Sequence, residues 1–234
     1  MNSRAEPLPV MLEDEVFQEI SQTSGQATTG GWTPERFASE QIRGLVQRIF
    51  LASQPPCRQV VFSAVDPDTD IRELCRQVGE TLTEHVRKVC IVYGLSEKPY
   101  GGMTGEPIFD RGVSGAVRDS SRQLSGPLWL VSSEALWGGT DEICSAELLG
   151  RRLNQLRSEF DGCVIQAPAA GASSMAGLLG RLSDGLILIV EAHSTHRLAA
   201  QKAQSMLLAA NAKLLGTVLS ERTFPIPEKL YRRL

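Results

Sequence analysis

The sequence predicts an α/β fold: a doubly wound, mainly parallel sheet with helices on both faces, in a single domain. Short β-branched apolar runs alternate with segments of helical periodicity along most of the chain. The runs are continuously apolar, as expected for strands that are buried on both faces of a sheet. The predicted strands are 60–64, 89–94, 128–133, 162–167, 185–190 and 213–219.

The helices follow from capping signals and apolar stripes. Thr33-Pro34-Glu35 has the composition of a helix start, and Pro55-Pro56 stops a helix, so the first helix is predicted to run to about Ser53. The later helices are predicted near 71–87, 141–159, 175–183 and 195–211. The stretch Tyr100–Pro127 is rich in Gly and Ser and has little periodicity, which predicts a loop with one short helix.

The chain divides into a tail and a domain. Residues 1–31 are acidic and polar and end in TSGQATTGG, which predicts a flexible N-terminal tail before a domain at 32–234. Within the tail, apolar residues recur at helical spacing, so the tail is either solvated throughout or holds a short helix that docks on a partner or on the domain. These residues are Leu12, Val16, Phe17 and Ile20.

Composition excludes several classes of function. A net charge of −3 and a pI near 5.7 leave no electrostatic footprint for nucleic acid or for an anionic membrane. The longest apolar stretch, 185–192, is far shorter than the roughly 20 residues of a membrane span, and the acidic start is no signal peptide. Five cysteines without a CxxC motif predict reduced core residues and no metal site. The chain is therefore expected in the cytoplasm.

The segment Val60–Val78 has the frame of a phosphate-binding loop without its chemistry. An apolar strand enters a short turn and then an amphipathic helix, as in a P-loop. A working loop needs glycines whose N–H groups surround phosphate, a Lys for the β/γ oxygens and a Ser or Thr for magnesium. Here those places hold Asp66, Pro67, Asp68, Thr69, Asp70 and Ile71.

Charge makes this difference important. Two unit charges about 4 Å apart interact by on the order of 4 kcal/mol at an effective dielectric constant of about 20, so an Asp in place of a Lys opposes phosphate strongly. Pro67 also removes one N–H donor from the loop. A second interpretation remains open: the three acids stabilise the N-terminus of the following helix and cap its free N–H groups.

Several segments together resemble the cytoplasmic ATPase module of bacterial capsule and exopolysaccharide tyrosine autokinases, relatives of the MinD/ParA class of deviant Walker ATPases. They are SEQIRGLVQRIFL, FSAVDPDTDI, VCIVYGLSEKP, SEFDGCVIQAPAA and the ending from LSDGLILIVEAHSTHR to LLGTVLSERTFPIPEKLYRRL. The resemblance covers about residues 33–234. It is most specific in the last seventy residues, where the family's patterns occur in order and spacing.

The resemblance implies site positions that this chain fills with other residues. The Walker A Lys position corresponds to Asp70, and the magnesium-binding hydroxyl position to Ile71. The acid that follows the second strand corresponds to Tyr93, and the Walker B acid to Gln166. Each replacement removes a charge or hydroxyl that handles Mg-ATP. The chain thus resembles a pseudo-ATPase of that family, and no cofactor is expected.

Two more departures concern assembly. Family members often end in a tyrosine cluster, whereas this chain ends with the single Tyr231 in LYRRL. The family's first helix carries an ExxRxxR pattern at the subunit interface; Glu40 and Arg43 fit it, and Val46 takes the third position. The two charged residues therefore form either part of a subunit interface or an exposed ion pair within the helix.

The leading hypothesis is a non-catalytic scaffold or regulator of bacterial exopolysaccharide or capsule biosynthesis that acts by protein–protein binding. The resemblance implies as partners a membrane-anchored chain-length determinant, a catalytic paralogue or a second copy of the chain. One alternative is an active, Mg-ATP-dependent tyrosine autokinase with a displaced site that uses Lys98 or Lys88. Another is a positioning ATPase of the MinD/ParA kind, which would need a nucleotide switch.

Overall fold

The computed structural model describes residues 34–93, 121–137 and 145–221, which belong to one compact unit. The predicted tail at 1–31 lies outside the described residues. The helices are α1 (Pro34–Val46), α2 (Arg72–Thr83), α3 (Glu134–Trp137), α4 (Ala146–Glu159), α5 (Met175–Leu182) and α6 (Arg197–Ala209), with a π-helical turn at Gln47–Leu51. The strands are β1 (Gln59–Ala64), β2 (Val89–Tyr93), β3 (Ser121–Ser125), β4 (Leu128–Ser132), β5 (Gly162–Gln166), β6 (Gly185–Glu191) and β7 (Leu214–Ser220).

The seven described strands form one sheet in the order β3-β4-β2-β5-β1-β6-β7. All neighbours pair in parallel except β3, which runs antiparallel to β4 at one edge. Strands that are adjacent in sequence, such as β1 and β2, are separated in the sheet, so the connections cross over through helices. The α/β, mainly parallel fold class is confirmed.

Two apolar layers sandwich the sheet. Val61 of β1 contributes to the layer that α4, α5 and α6 cover, whereas its neighbours Val60 and Phe62 contribute to the layer that α1 and α2 cover. This alternation follows from the strand geometry, in which successive side chains point to opposite faces. Every residue of β1 is buried. The continuous apolar runs thus reflect a sheet that is covered on both sides.

The structure corrects several predicted bounds. The first helix is α-helical only to Val46, and the residues that follow form the π-helical turn, where the prediction had a single helix to about Ser53. The prediction of a loop at Tyr100–Pro127 is wrong at its end, because Ser121–Ser125 is a strand. Its polar sequence, SRQLS, is typical of an exposed edge strand. A prediction that relies on apolar runs therefore misses this strand. The predicted short helix lies outside the described residues.

Charged groups connect the ends at which the parallel strands begin, here called the amino edge. The Asp184 carboxylate accepts hydrogen bonds from the backbone N–H groups of Arg58 and Gln59, at 2.7 and 2.8 Å. Its other oxygen accepts from the Arg157 guanidinium at 2.7 Å. The Gln59 side chain donates to the Leu153 carbonyl oxygen at 2.7 Å. One carboxylate therefore joins the starts of β1 and β6 to the last turn of α4.

Arg58 strengthens the same edge. Its guanidinium donates to the carbonyl oxygens of Arg157, Phe160 and Asp161, at 3.1 to 3.3 Å. These carbonyls end α4 and begin the connection to β5, where the helix leaves acceptors without intrahelical donors and a cation is favourable.

The described helices include none that is long and apolar enough to cross a membrane.

Candidate functional site

The predicted phosphate-loop segment lies at the opposite end of the strands, here called the carboxyl edge. Residues 65–71 connect the end of β1 to the start of α2. Tyr93 and Gln166 are the last residues of β2 and β5, the strands on that side of β1. In open α/β sheets, ligands bind outside the carboxyl ends of the strands. The structure thus brings the sequence-predicted residues of three separate segments to one edge of the sheet.

Two threonine hydroxyls connect the loop at residues 65–71 to the end of β6 and the residues that follow it. The Thr195 hydroxyl donates to an Asp66 carboxylate oxygen at 2.7 Å and accepts from the Glu191 N–H at 3.2 Å. The Thr69 hydroxyl donates to the other acid, Glu191, at 2.8 Å. The side chains of Asp66 and Thr69 are therefore both hydrogen-bonded to residues at or after the end of β6. Sequence reasoning missed Thr195 because more than a hundred residues separate it from Asp66.

The start of α2 differs from the capping interpretation. The residue at the N-cap position is Ile71, which is buried and has no side chain able to accept a hydrogen bond. Asp70 instead accepts from the backbone N–H of Arg72 at 3.0 Å and forms an ion pair with its guanidinium. Asp70 therefore caps an N–H group of the helix, as expected, although it lies one residue before the N-cap position. The capping expectation is wrong for Asp66, whose carboxylate accepts a hydrogen bond from Thr195 instead.

The connection after β5 packs directly against the end of β1. The backbone N–H groups of Ala167, Ala170 and Gly171 donate to the carbonyl oxygens of Phe62, Ala64 and Val65 respectively, at 2.9, 2.8 and 3.1 Å. At Gly171 the approach is so close that a Cβ would lie 2.6 Å from the Val65 carbonyl oxygen. The Ser63 hydroxyl donates to the Pro168 carbonyl at 2.7 Å. These bonds join the connection after β5 to the end of β1.

The last residues of β2 and β5 are uncharged at this edge. The Gln166 side-chain oxygen is buried and has no hydrogen-bond partner among the described residues. The half-buried Tyr93 loses hydration of its charged form, which raises the pKa of its phenol, while the Arg122 charge lowers that pKa by a smaller amount. Neither side chain carries a charge at neutral pH that would bind magnesium.

Among the residues that the structure describes, four acids lie at this edge after β1 and at the end of β6. Asp66, Asp68 and Asp70 lie in the connection after β1, and Glu191 is the last residue of β6. The guanidinium of Arg72 is engaged by Asp70. A P-loop stabilises phosphate with backbone N–H groups and a Lys, which this arrangement replaces with acids. Among the described residues, no group of three or more His, Cys, Asp and Glu could hold a metal ion.

The two lysines of the displaced-site alternative have different outcomes. Lys88 precedes β2, so it lies at the amino edge, at the far end of the strand from the loop. Its ammonium group lies 4.8 Å from the ring centre of Phe160 and 5.6 Å from that of Trp129, which are favourable cation–π distances. Lys88 is therefore remote from the loop at residues 65–71, and a displaced site that uses it stays a prediction. Lys98 lies outside the described residues.

Glu40 and Arg43 lie on an exposed face of α1. The guanidinium of Arg43 donates to Glu40 at 2.8 Å, and their side chains are 56 % and 65 % exposed for Arg43 and Glu40 respectively. An exposed pair one helical turn apart stabilises a helix by only a few tenths of a kcal/mol, about 0.2–0.5. The pair thus contributes little to folding, and the interface interpretation stays a prediction.

Comparisons with known proteins agree with the resemblance in the sequence. No protein-family model matches the chain. The chain is 22 % identical over 200 residues to "Putative tyrosine-protein kinase CapB" of Staphylococcus aureus, covering 80 % of this chain and 86 % of that protein. It is 21 % identical over 198 residues to tyrosine-protein kinase YwqD of Bacillus subtilis, covering 80 % and 82 %.

Solved structures share the fold at low identity. The VpsO kinase domain has a TM-score of 0.63 at 16 % identity and covers 81 % of this chain and 98 % of its own. The BceF tyrosine kinase domain has a TM-score of 0.57 at 19 % identity and covers 77 % and 76 %. MinD of Aquifex aeolicus has a TM-score of 0.54 at 12 % identity and covers 69 % and 68 %. The chain is therefore similar to bacterial tyrosine kinases of capsule and exopolysaccharide systems, and it has the P-loop ATPase fold that their kinase domains share with MinD.

Proposed function

We propose that this protein is a non-catalytic member of a capsule or exopolysaccharide system, a pseudo-ATPase that acts by binding other proteins. The observation that carries the proposal is the replacement of every Mg-ATP-handling position that the resemblance implies. Those positions hold Asp70, Ile71, Tyr93 and Gln166. Loss of the Lys charge and of both acids removes the contacts that stabilise phosphoryl transfer.

The geometry of the carboxyl edge supports the same conclusion. Asp66 and Thr69 bind Thr195 and Glu191, so nucleotide entry would require these bonds to open. The acids that remain would oppose a triphosphate by direct repulsion. Two features therefore oppose nucleotide binding. The positions that would attract phosphate lack a Lys, and the acids that would repel it are hydrogen-bonded within the protein.

A titration with Mg-ATP tests the proposal directly. We expect no binding heat by calorimetry, no phosphate release above a mock preparation and no tyrosine autophosphorylation. An active paralogue of the kinase family, assayed in parallel, serves as the positive control. Saturable binding together with turnover would contradict the proposal and support an autokinase with a displaced site.

Two lysine variants distinguish such a site from a contaminant. Lys98→Ala removes the lysine that follows β2, whereas Lys88→Ala removes one that lies at the amino edge between two rings. Turnover that is lost in Lys98→Ala and kept in Lys88→Ala would establish a displaced site. Nucleotide-dependent dimerisation without phosphorylation would instead favour a positioning ATPase of the MinD/ParA kind.

The proposed partner is a membrane-anchored chain-length determinant, a catalytic paralogue or a second copy, and the proposed surface includes Glu40 and Arg43. Exchange of the two charges, Glu40→Arg with Arg43→Glu, keeps an ion pair within α1 but reverses the pattern that a partner meets. We expect weaker self-association or co-purification at an unchanged Tm. Deletion of 1–31, which contains Leu12, Val16, Phe17 and Ile20, tests the tail in the same assay. If both variants keep every interaction, the surface lies elsewhere.

A further inference from the structure

The outer edge of β7 lacks the protection that is usual for an edge strand. The strand is seven residues long, and its sequence LLGTVLS contains neither a charge nor a proline. Among the described strands it pairs with β6 alone; the register shifts once near the start of β7 and is regular from Gly216 to Ser220. By contrast β3, at the other edge, carries Arg122 and Gln123. An uncharged edge with outward-facing N–H and C=O groups recruits another strand.

The backbone direction identifies which groups of β7 face outward. The Ser220 carbonyl accepts from the Ala192 N–H, so Ser220 directs its backbone groups toward the β6 side. Successive residues of a regular strand alternate in this direction. The N–H and C=O groups of Thr217 and Leu219 therefore point away from β6, to the outer edge of the sheet.

The Leu219 side chain is the apolar part of the same edge. Thr217 and Leu219 pair in register with Leu188 and Val190 of β6, whose side chains belong to the layer that α4, α5 and α6 cover. Partners in a parallel pair share a face, so both side chains lie on that face of the sheet. Leu219 is nevertheless 53 % exposed. The described helices thus leave it uncovered, directly beside the outward-facing backbone groups.

The regular part of β7 is complementary to itself. In an antiparallel pair of two copies centred on Val218, Thr217 lies opposite Leu219 of the second copy, and the two-fold axis repeats this pair. Both residues direct their backbone groups outward, so each such pair exchanges both of its hydrogen bonds. Opposed residues share a face, so the Leu219 side chain packs against the Thr217 methyl group of the other copy. On the opposite face the two Val218 side chains meet in a non-hydrogen-bonded pair, where side chains are closest.

The charges at the ends of β7 favour a second copy in the antiparallel direction. Exposed Lys213 precedes the strand and exposed Glu221 follows it, with no charged residue between them. Antiparallel pairing of two copies brings the lysine end of each strand beside the glutamate end of the other. Parallel pairing would bring like charges together at both ends. The end charges and the uncharged strand between them therefore suit the same arrangement.

We propose that β7 pairs antiparallel with β7 of a second copy, around Val218, and extends the sheet across a two-fold axis. Such an interface is isologous, because both copies use the same surface. The inference goes beyond the proposed function, since the interface lies on β7 and not on α1 and requires no nucleotide. The Mg-ATP titration and the exchange of charges at Glu40 and Arg43 therefore test other claims.

Two matched lysine variants test the pairing. Leu219→Lys places like charges close to the two-fold axis, whereas Leu198→Lys adds the same charge at a residue of α6 that is 78 % exposed and serves as the control. Sedimentation at rising protein concentration measures the dimer dissociation constant of each. We expect the parent protein to dimerise, Leu219→Lys to raise the constant by about tenfold or more, and Leu198→Lys to leave it unchanged.

A proline variant separates backbone pairing from side-chain contact. Thr217→Pro removes an outward N–H donor and leaves the bonds to β6 in place, whereas Thr217→Val keeps the donor and is its control. Exchange of the Leu219 amide should slow as the parent protein dimerises. We expect this protection to be lost in Thr217→Pro and kept in Thr217→Val. The amides of the buried strand β1 should stay protected in both variants, because the domain remains folded.

Other results would contradict the pairing. A parent protein that stays monomeric at every concentration would overturn the proposal, and so would equal effects of the two lysine variants. Protection of the Leu219 amide that is already complete in the dilute monomer would assign the edge to the same chain and overturn it too. Self-association that survives Leu219→Lys and disappears on charge exchange at Glu40 and Arg43 would place the interface on α1. That outcome would overturn this inference while supporting the surface in the proposed function.

Discussion

The two ends of the strands use polar groups in different ways. At the amino edge, Asp184 balances the charge of Arg157 and accepts two backbone N–H groups as well, so opposite charges and backbone donors are combined. At the carboxyl edge, threonine hydroxyls donate to the carboxylates of Asp66 and Glu191, and no ion pair connects either acid to a base among the described residues. The difference indicates that the charges of the amino edge stabilise the fold, whereas the carboxyl edge holds the positions that the family resemblance implies for a nucleotide.

The largest effect is expected at the amino edge. Asp184→Ala removes the acceptor for two backbone donors and for a guanidinium, and it should lower the free energy of unfolding by about 2–4 kcal/mol, because hydrogen bonds to charged groups are the strong ones. Asp184→Asn keeps one acceptor and should give a smaller loss. Urea denaturation measures both. A loss below that of the carboxyl-edge variants would reverse the comparison.

A steric change comes next, at the carboxyl edge. Gly171→Ala places a methyl group 2.6 Å from the Val65 carbonyl oxygen, so the two connections must separate, at a cost of about 1–3 kcal/mol. Gly216→Ala in β7 is the control, since a Cβ there meets nothing within 4 Å and should be neutral or slightly stabilising. Thermal melts compare the two. Equal melts would mean that the connection after β5 yields easily.

Thr195→Val should have a moderate effect. The substitution keeps the shape and removes the hydroxyl that joins Asp66 to the Glu191 N–H, which should lower the free energy of unfolding by about 1 kcal/mol. Ser205→Ala, which loses only a bond to its own helix, is the control. Chemical denaturation should show a smaller change for Ser205→Ala. The Thr195 variant should still fail to bind Mg-ATP, because the acids remain.

The smallest effect is a pH dependence at Tyr93. Burial raises the phenol pKa above its ordinary value of 10.0, so the unfolded chain ionises first as the pH rises. This residue therefore contributes stability that is present below about pH 10 and is lost progressively above it. Tyr93→Phe should flatten that part of the stability profile, as measured by denaturation at several alkaline pH values. An unchanged profile would show that the phenol titrates normally.

Sequence periodicity predicted the apolar strands of the sheet, including the edge strand β7, better than the polar edge strand β3. Strands such as β1 and β6 are buried on both faces, and their continuous apolar runs record that burial. The edge strand β3 is half polar, and its pairing with β4 depends on a neighbour that periodicity does not report. The π-helical turn after α1 was missed for a similar reason: its apolar spacing continues the helical stripe.

The sequence predicted which residues lie at the site, but it did not predict the hydrogen bonds between them. Strand order alone places residues 66–71, Tyr93 and Gln166 at one edge, because parallel strands end at the same side. The same rule places Lys88, which precedes its strand, at the other edge. The bonds from Thr195 to Asp66 and from Thr69 to Glu191 depend on contacts across more than a hundred residues, which local patterns do not carry.

The packing of Lys88 against Trp129 makes the fluorescence of this tryptophan sensitive to the structure of the amino edge. Trp129 is partly buried beside that ammonium group and meets Phe160 edge-on at 6.4 Å between ring centres. A positive charge near an indole shifts and quenches its emission, so Trp129 fluorescence responds when the rings or the lysine separate. The signal comes from the end of the sheet that is far from the loop at residues 65–71. Fluorescence from this tryptophan is therefore suited to following unfolding, and poorly suited to detecting what binds at the opposite edge.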